Sequence, residues 1–284
     1  MKKSWRFVGF LPLVVALAAT SAAAGTFIRI DMPGVAGTAP FGINAAGDIV
    51  GAHLETPTSS FQGFLYSGGL FTTINVPGGG ATIPFGINDL GQIVGRYCTT
   101  GPNCFGFLFD GKTYTKLQYP GAISTTAFGI NNAGQIVGYA GVNVIHAFLY
   151  SNGVFTDINP PETDFDGAYA YGINNLGDIV GCYPSKGLFN YYGWELTQGM
   201  YVKIILPDSK NSCTLGISDS GAMVGEDDKG VFIRNKSALM HQELRVPGAI
   251  FTQAGGINSL GQVVGNYFAR QGPFTPNHGF LWTP

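Results

Sequence analysis

The chain has 284 residues, of which 11% are charged, and a formal net charge of −2. That balance excludes a basic nucleic-acid surface and a polybasic lipid-binding segment, because both need clustered Lys and Arg. Glycine, at 43 residues, is about twice its usual share, which suits an exported all-β chain with many tight turns.

Lys2, Lys3 and Arg6 precede an apolar run from Phe7 to Ala19, and small residues follow from Ser21 to Ala24. This pattern predicts a secretory signal peptide over 1–24, cut after Ala24, and release into the extracellular or periplasmic space. The run is too short for a spanning helix and no longer one follows, so no membrane span is expected. Residues 25–284 are expected to form one domain.

From residue 41 the chain repeats. FGINAAGDIVG begins at Phe41, FGINDLGQIVG at Phe85, FGINNAGQIVG at Phe128, YGINNLGDIVG at Tyr171, LGISDSGAMVG at Leu215 and GGINSLGQVVG at Gly255. The motif glycines stand at 42, 86, 129, 172, 216 and 256, a period of 40 to 44 residues. Within a copy, Phe85 and Ile87 alternate with Gly86 and Asn88, the period of a half-buried strand. Gln92 to Gly95 reads as a second strand, and the Asn-x-x-Gly between them as a three-residue hairpin loop in which the asparagine bonds its own backbone. A third strand follows in each copy, such as Gly63 to Tyr66, and then a fourth that ends in proline, such as Ile74 to Pro77.

Four strands in about 43 residues predict a six-bladed β-propeller of four-stranded blades. Only five fourth strands follow the motifs, however. The sixth precedes them as Phe27 to Pro33, so the ring is expected to close by pairing this N-terminal outer strand with the last blade.

The distance from the motif glycine to the third strand varies most, so the second-to-third loops and the blade links should form a divergent face above a constant scaffold. Tyr97, Tyr183, Tyr191, Tyr192, Tyr267 and Arg270 lie on that face as candidate ligand contacts, flat rings beside polar groups that suit a glycan or an extended peptide. Blade packing explains the tyrosines that follow the second strand equally well. Glu162, Asp164 and Asp166 extend one blade link; they are candidate ligands for calcium, with a solvated acidic loop as the alternative. Glu226, Asp227 and Asp228 form a second acidic cluster, read as a tight charged turn. Cys98 and Cys104 flank a short loop and predict a local disulfide. Cys182 and Cys213 are the remaining pair, in neighbouring repeats, with two isolated thiols as the alternative.

The run GINNAGQIVG with HAFLY, unbroken from Gly129 to Tyr150, resembles the extracellular HAF-repeat family of bacterial secreted proteins. The resemblance spans essentially all of 25–284, although only the third copy holds His146-Ala147-Phe148 itself, and the fifth departs with Ser218 and Val231. It implies export and a repetitive β fold, and it brings no catalytic residues.

The function expected from these features is a secreted, monomeric binding module for a glycan, peptide or cell-envelope component, without catalysis or cofactor. Two alternatives stand beside it. One is a hydrolase or lyase with an acidic, ion-assisted site at the channel mouth; the other is a structural matrix protein. A pocket where acidic and aromatic side chains converge would separate the three.

Overall fold

The computed structural model describes residues 25–99, 101, 103–161, 167–184, 190–206, 209–235, 242–269 and 277–284. These residues form 24 strands and no helix. Four sheets have four antiparallel strands each, and a fifth has eight. The large sheet is two four-stranded units joined by one parallel bridge, Ser124 to Cys104.

The first strands of the six repeats are Gly37–Ile43, Ala81–Ile87, Ser124–Ile130, Tyr169–Ile173, Ser212–Ile217 and Phe251–Ile257. They surround one axis, for residues of all six line the same two cavities along it. The motif glycine makes this approach possible. A Cβ on Gly42 would stand 2.5 Å from the Phe85 carbonyl of the next repeat, and one on Gly256 would stand 2.9 Å from the Phe41 carbonyl. Any side chain here would force neighbouring inner strands apart.

The asparagine of each motif does more than shape its own turn. Asn88 Oδ1 accepts the Leu90 and Gln92 backbone N–H groups, at 3.1 and 2.9 Å, as the hairpin reading requires. Its amide also reaches across to the Asn131 carbonyl at 3.0 Å. The same crossing joins Asn44 to Asn88, Asn131 to Asn174, Asn174 to Ser218 and Asn258 to Asn44. The last of these spans 214 positions of sequence and connects the final repeat to the first.

Ser218 interrupts the series, because its hydroxyl is engaged locally with Ser220 and the Ala222 N–H. Ser218→Asn is therefore expected to add the missing crossing and raise stability by about 1 kcal/mol, measured by urea denaturation. No gain in the midpoint would show that the crossing is not made.

A second glycine serves the sheets themselves. Gly51, Gly95, Gly138, Gly181, Gly225 and Gly265 pair across strands with Phe64, Phe107, Phe148, Trp194, Phe232 and Phe280. Each of these aromatics is buried, with its ring lying over the glycine. The core is thus six small clusters between neighbouring sheets rather than one central mass.

At the termini, Thr26–Ile30 pairs antiparallel with His278–Thr283, placing Phe27 opposite Trp282. Asp31 holds His278 Nδ1 at 2.8 Å as Asp157 holds His146 Nδ1 at 3.1 Å in the third repeat. The N-terminal segment therefore occupies the place of a fourth strand for the last repeat. The matched pairs also give both histidines a structural role.

Both cysteine pairs are disulfides, Cys98 with Cys104 and Cys182 with Cys213. Such bonds persist in oxidising compartments. Among the described residues no helix is long and apolar enough to cross a membrane. The predicted signal peptide over 1–24 lies outside the described residues.

Candidate functional site

Straight alternation along the motif strand breaks down at one residue. Pairing of the first and second strands shifts between Pro40 and Gly42, between Ala127 and Gly129, and at the matching place in every other repeat. The bulged residues are Phe41, Phe85, Phe128, Tyr171, Leu215 and Gly255. A bulge re-aims the side chain it carries. These six, with Ala254, line a cavity of about 170 Å³ on the axis.

Four aromatic rings follow one another around its wall. Phe41 and Phe85 have centroids 5.2 Å apart, Phe85 and Phe128 4.7 Å, and Phe128 and Tyr171 4.7 Å. Leu215 and Gly255 complete the wall with far less bulk, so the cavity is lopsided. Behind it the motif isoleucines, among them Ile43, Ile130 and Ile217, are buried on the axis. Beyond them lies the ring of asparagine turns. The axis therefore has an aromatic end and a polar end, separated by isoleucine.

Tyr171 is the polar member of the aromatic wall. Burial pushes its phenol well above the usual range, and the charges of Tyr169, Tyr139, Tyr191 and Glu226 push it the same way. Tyr139 packs on Tyr169 at 5.0 Å, and Tyr169 stacks with Tyr171 at 5.9 Å. Glu226 stands beside this group, its Oε1 accepting the N–H of the cavity residue Ala254 at 3.2 Å. Burial raises its carboxyl above the ordinary value, and the Ala254 bond offsets only part of that. Both Glu226 and Tyr171 are thereby held toward their proton-bearing forms.

The reading of Glu226 as part of a charged turn is corrected here. It lies in the strand Met223–Asp227, and only Asp227 and Asp228 shape the turn and neighbouring loop, accepting backbone N–H groups of Lys229, Gly230, Lys210 and Asn211. Its strand partner is Cys213, whose disulfide to Cys182 ties the fourth repeat to the fifth next to the acid.

The tyrosines named from sequence divide. Tyr191 lies near enough to Tyr171 to influence it. Tyr97 packs against Phe105 at 5.6 Å, Tyr183 is buried against Tyr192, and Tyr267 packs on His278 at 5.3 Å. Lys203 Nζ stands 3.5 Å over the Tyr192 ring. Each of these four rings thus contacts a side chain of its own sheet. Tyr139 sits one residue earlier in its strand than Tyr97, Tyr183 and Tyr267 do in theirs, which is why it reaches the axial group and they do not. Arg270, Glu162, Asp164 and Asp166 lie outside the described residues. Among the described residues no three His, Cys, Asp or Glu side chains are grouped to hold a metal ion.

No family model matches the chain, and no curated protein does. Among solved structures, one provisionally described as a gluconolactonase matches with a TM-score of 0.51 and 11% identity, covering 92% of this chain and 93% of that one. A polysaccharide lyase matches with a TM-score of 0.43 and 9% identity, over 91% and 77%. At 11% identity the first likeness is one of fold, and it is to an all-β, propeller-like architecture.

The expectation of a binding module without catalysis is corrected at this point. The architecture is shared with a protein described as an enzyme, and the axial cavity has a phenol in its aromatic wall, with a buried carboxyl, pushed up by that burial, bonded to its residue Ala254.

Proposed function

We propose that the chain is an exported six-bladed β-propeller of the HAF-repeat type, its ring closed by the N-terminal strand, and that it is a hydrolase or lyase. Its substrate is of the carbohydrate class, bound at the aromatic end of the axis, where a C–O bond is cleaved. The observation that carries this reading is the pair Glu226 and Tyr171: Tyr171 stands in the aromatic wall of the cavity, Glu226 is bonded to the cavity residue Ala254, and burial pushes both groups up.

Hydrolysis and elimination share one demand: the leaving oxygen must gain a proton as its bond to carbon breaks. Glu226 supplies that proton, since a raised carboxyl still carries it at the pH where an ordinary glutamate has lost it. Tyr171, a neutral phenol at any pH well below about 10, donates a hydrogen bond to oxygen that gains charge. Phe41, Phe85 and Phe128 offer flat faces to the apolar side of a sugar ring.

The test is a panel of sugar lactones, aryl glycosides and uronate polysaccharides, read by acid release, chromophore release and unsaturated product. Tyr171→Phe should lower kcat by about 100-fold on whichever class turns over. No turnover of any class, or a Tyr171→Phe enzyme as fast as the parent, would overturn the assignment.

A further inference from the structure

The polar end of the axis has a surface pattern that the proposed chemistry does not use. Three leucines stand at the tips of the asparagine turns: Leu90 is 69% exposed, Leu176 73% and Leu260 63%. They belong to the second, fourth and sixth repeats. The first, third and fifth hold Ala46, Ala133 and Ser220 at the same turn position. Around the axis the tips thus alternate large, small, large, small, large, small.

These leucines are rigidly mounted. The N–H groups of Leu90, Leu176 and Leu260 each bond the Oδ1 of their own turn asparagine at 3.1 Å. The asparagine amides in turn cross to the neighbouring repeat, Asn88 at 3.0 Å, Asn174 at 3.1 Å and Asn258 at 2.9 Å. Backbone held this way has little freedom left to lose when the side chain it carries is covered. On the same face Leu70, Val154 and Met200, each the first residue of a fourth strand, are exposed.

We propose that this face is an interface between two copies of the chain, packed turn to turn about a two-fold axis. A ring that alternates large and small is complementary to itself when flipped about an axis lying between two adjacent positions. Every leucine of one copy then falls over Ala46, Ala133 or Ser220 of the other, as an isologous contact requires. Three such registers exist, and two of them also keep the carboxylates of Asp89 and Asp219 away from their counterparts. The six exposed aliphatic side chains contribute on the order of 100 Å² each, and with the turn backbone around them they approach the roughly 800 Å² per partner of a standard interface. The aromatic end stays open in both copies, so pairing and substrate entry do not compete.

Sedimentation of the full chain tests this. The parent is expected to be a dimer at micromolar concentration. Leu90→Glu/Leu176→Glu/Leu260→Glu should weaken association by at least about 100-fold, with turnover and circular dichroism unchanged. A second variant, Ala46→Leu/Ala133→Leu, separates fitted packing from general stickiness. Filling the holes should dissociate the dimer, whereas an unspecific apolar face would associate more strongly. A monomeric parent at about 100 μM, or tighter association of the hole-filled variant, would overturn the proposal.

Discussion

Glu226→Gln is expected to reduce turnover by about 100- to 10,000-fold while leaving a folded protein that is more stable than its parent at neutral pH. The two effects share one cause. Burial raises the Glu226 carboxyl, so the folded state favours the protonated form more than the unfolded chain does. A raised acid adds nothing adverse below its unfolded value, and it subtracts stability as pH climbs from there through its folded value. Glutamine never acquires the charge, so the variant escapes that loss. Activity should show the same group from the other side. In the parent, turnover falls as pH rises through the raised carboxyl value, because the proton donor is being lost; in the variant that alkaline limb is absent. Thermal melts between pH 4 and 8, beside rates over the same range, read both. A variant that keeps its rate, or that is uniformly less stable, would remove Glu226 from the proposed chemistry.

The largest structural effect is expected from Gly138→Ala. A Cβ at that position would overlap the Thr126 carbonyl and come within 2.8 Å of Phe148 Cζ. Neither can retreat. The Thr126 carbonyl belongs to an inner strand wedged between repeats, and Phe148 is fully buried. A loss of about 3 kcal/mol is expected, seen as a lowered urea midpoint. Gly141, three residues further along the same strand, is the control, since nothing lies within 4 Å of a Cβ built there. Gly141→Ala should be neutral or slightly stabilising. Equal losses at both positions would show that the cost is one of strand conformation and not of space.

Much of the architecture can be read from the repeats. The three-residue turns, the aromatic third strands and the pairing of the chain ends all follow from spacing and strand periodicity, and both disulfides were within the options that the cysteine positions allowed. The site was less legible. Period-two alternation places Phe41, Phe85 and Phe128 on a buried strand face, and nothing local announces a bulge that turns them toward the axis. One signal was available. Within the motif strand the glycine and isoleucine are invariant among the six copies, whereas the residue before them runs Phe, Phe, Phe, Tyr, Leu, Gly. Variation inside an otherwise fixed strand marks a side chain freed from packing against its own scaffold. Glu226 was hidden for a different reason. Its neighbours Asp227 and Asp228 make the triplet look like a solvated turn, and only the strand register sets Glu226 apart, opposite Cys213.

The strand Thr26–Ile30 meets its partner His278–Thr283 across the whole of the intervening chain, residues 31–277. Such a contact carries a high loop-closure cost until the repeats between have folded, so the final step of folding is expected to be slow. The reverse holds for opening. Amides of Phe27 and Ile28 should exchange with solvent well before those of the inner strands, and loss of that one strand would uncover Phe280 without dismantling the other sheets.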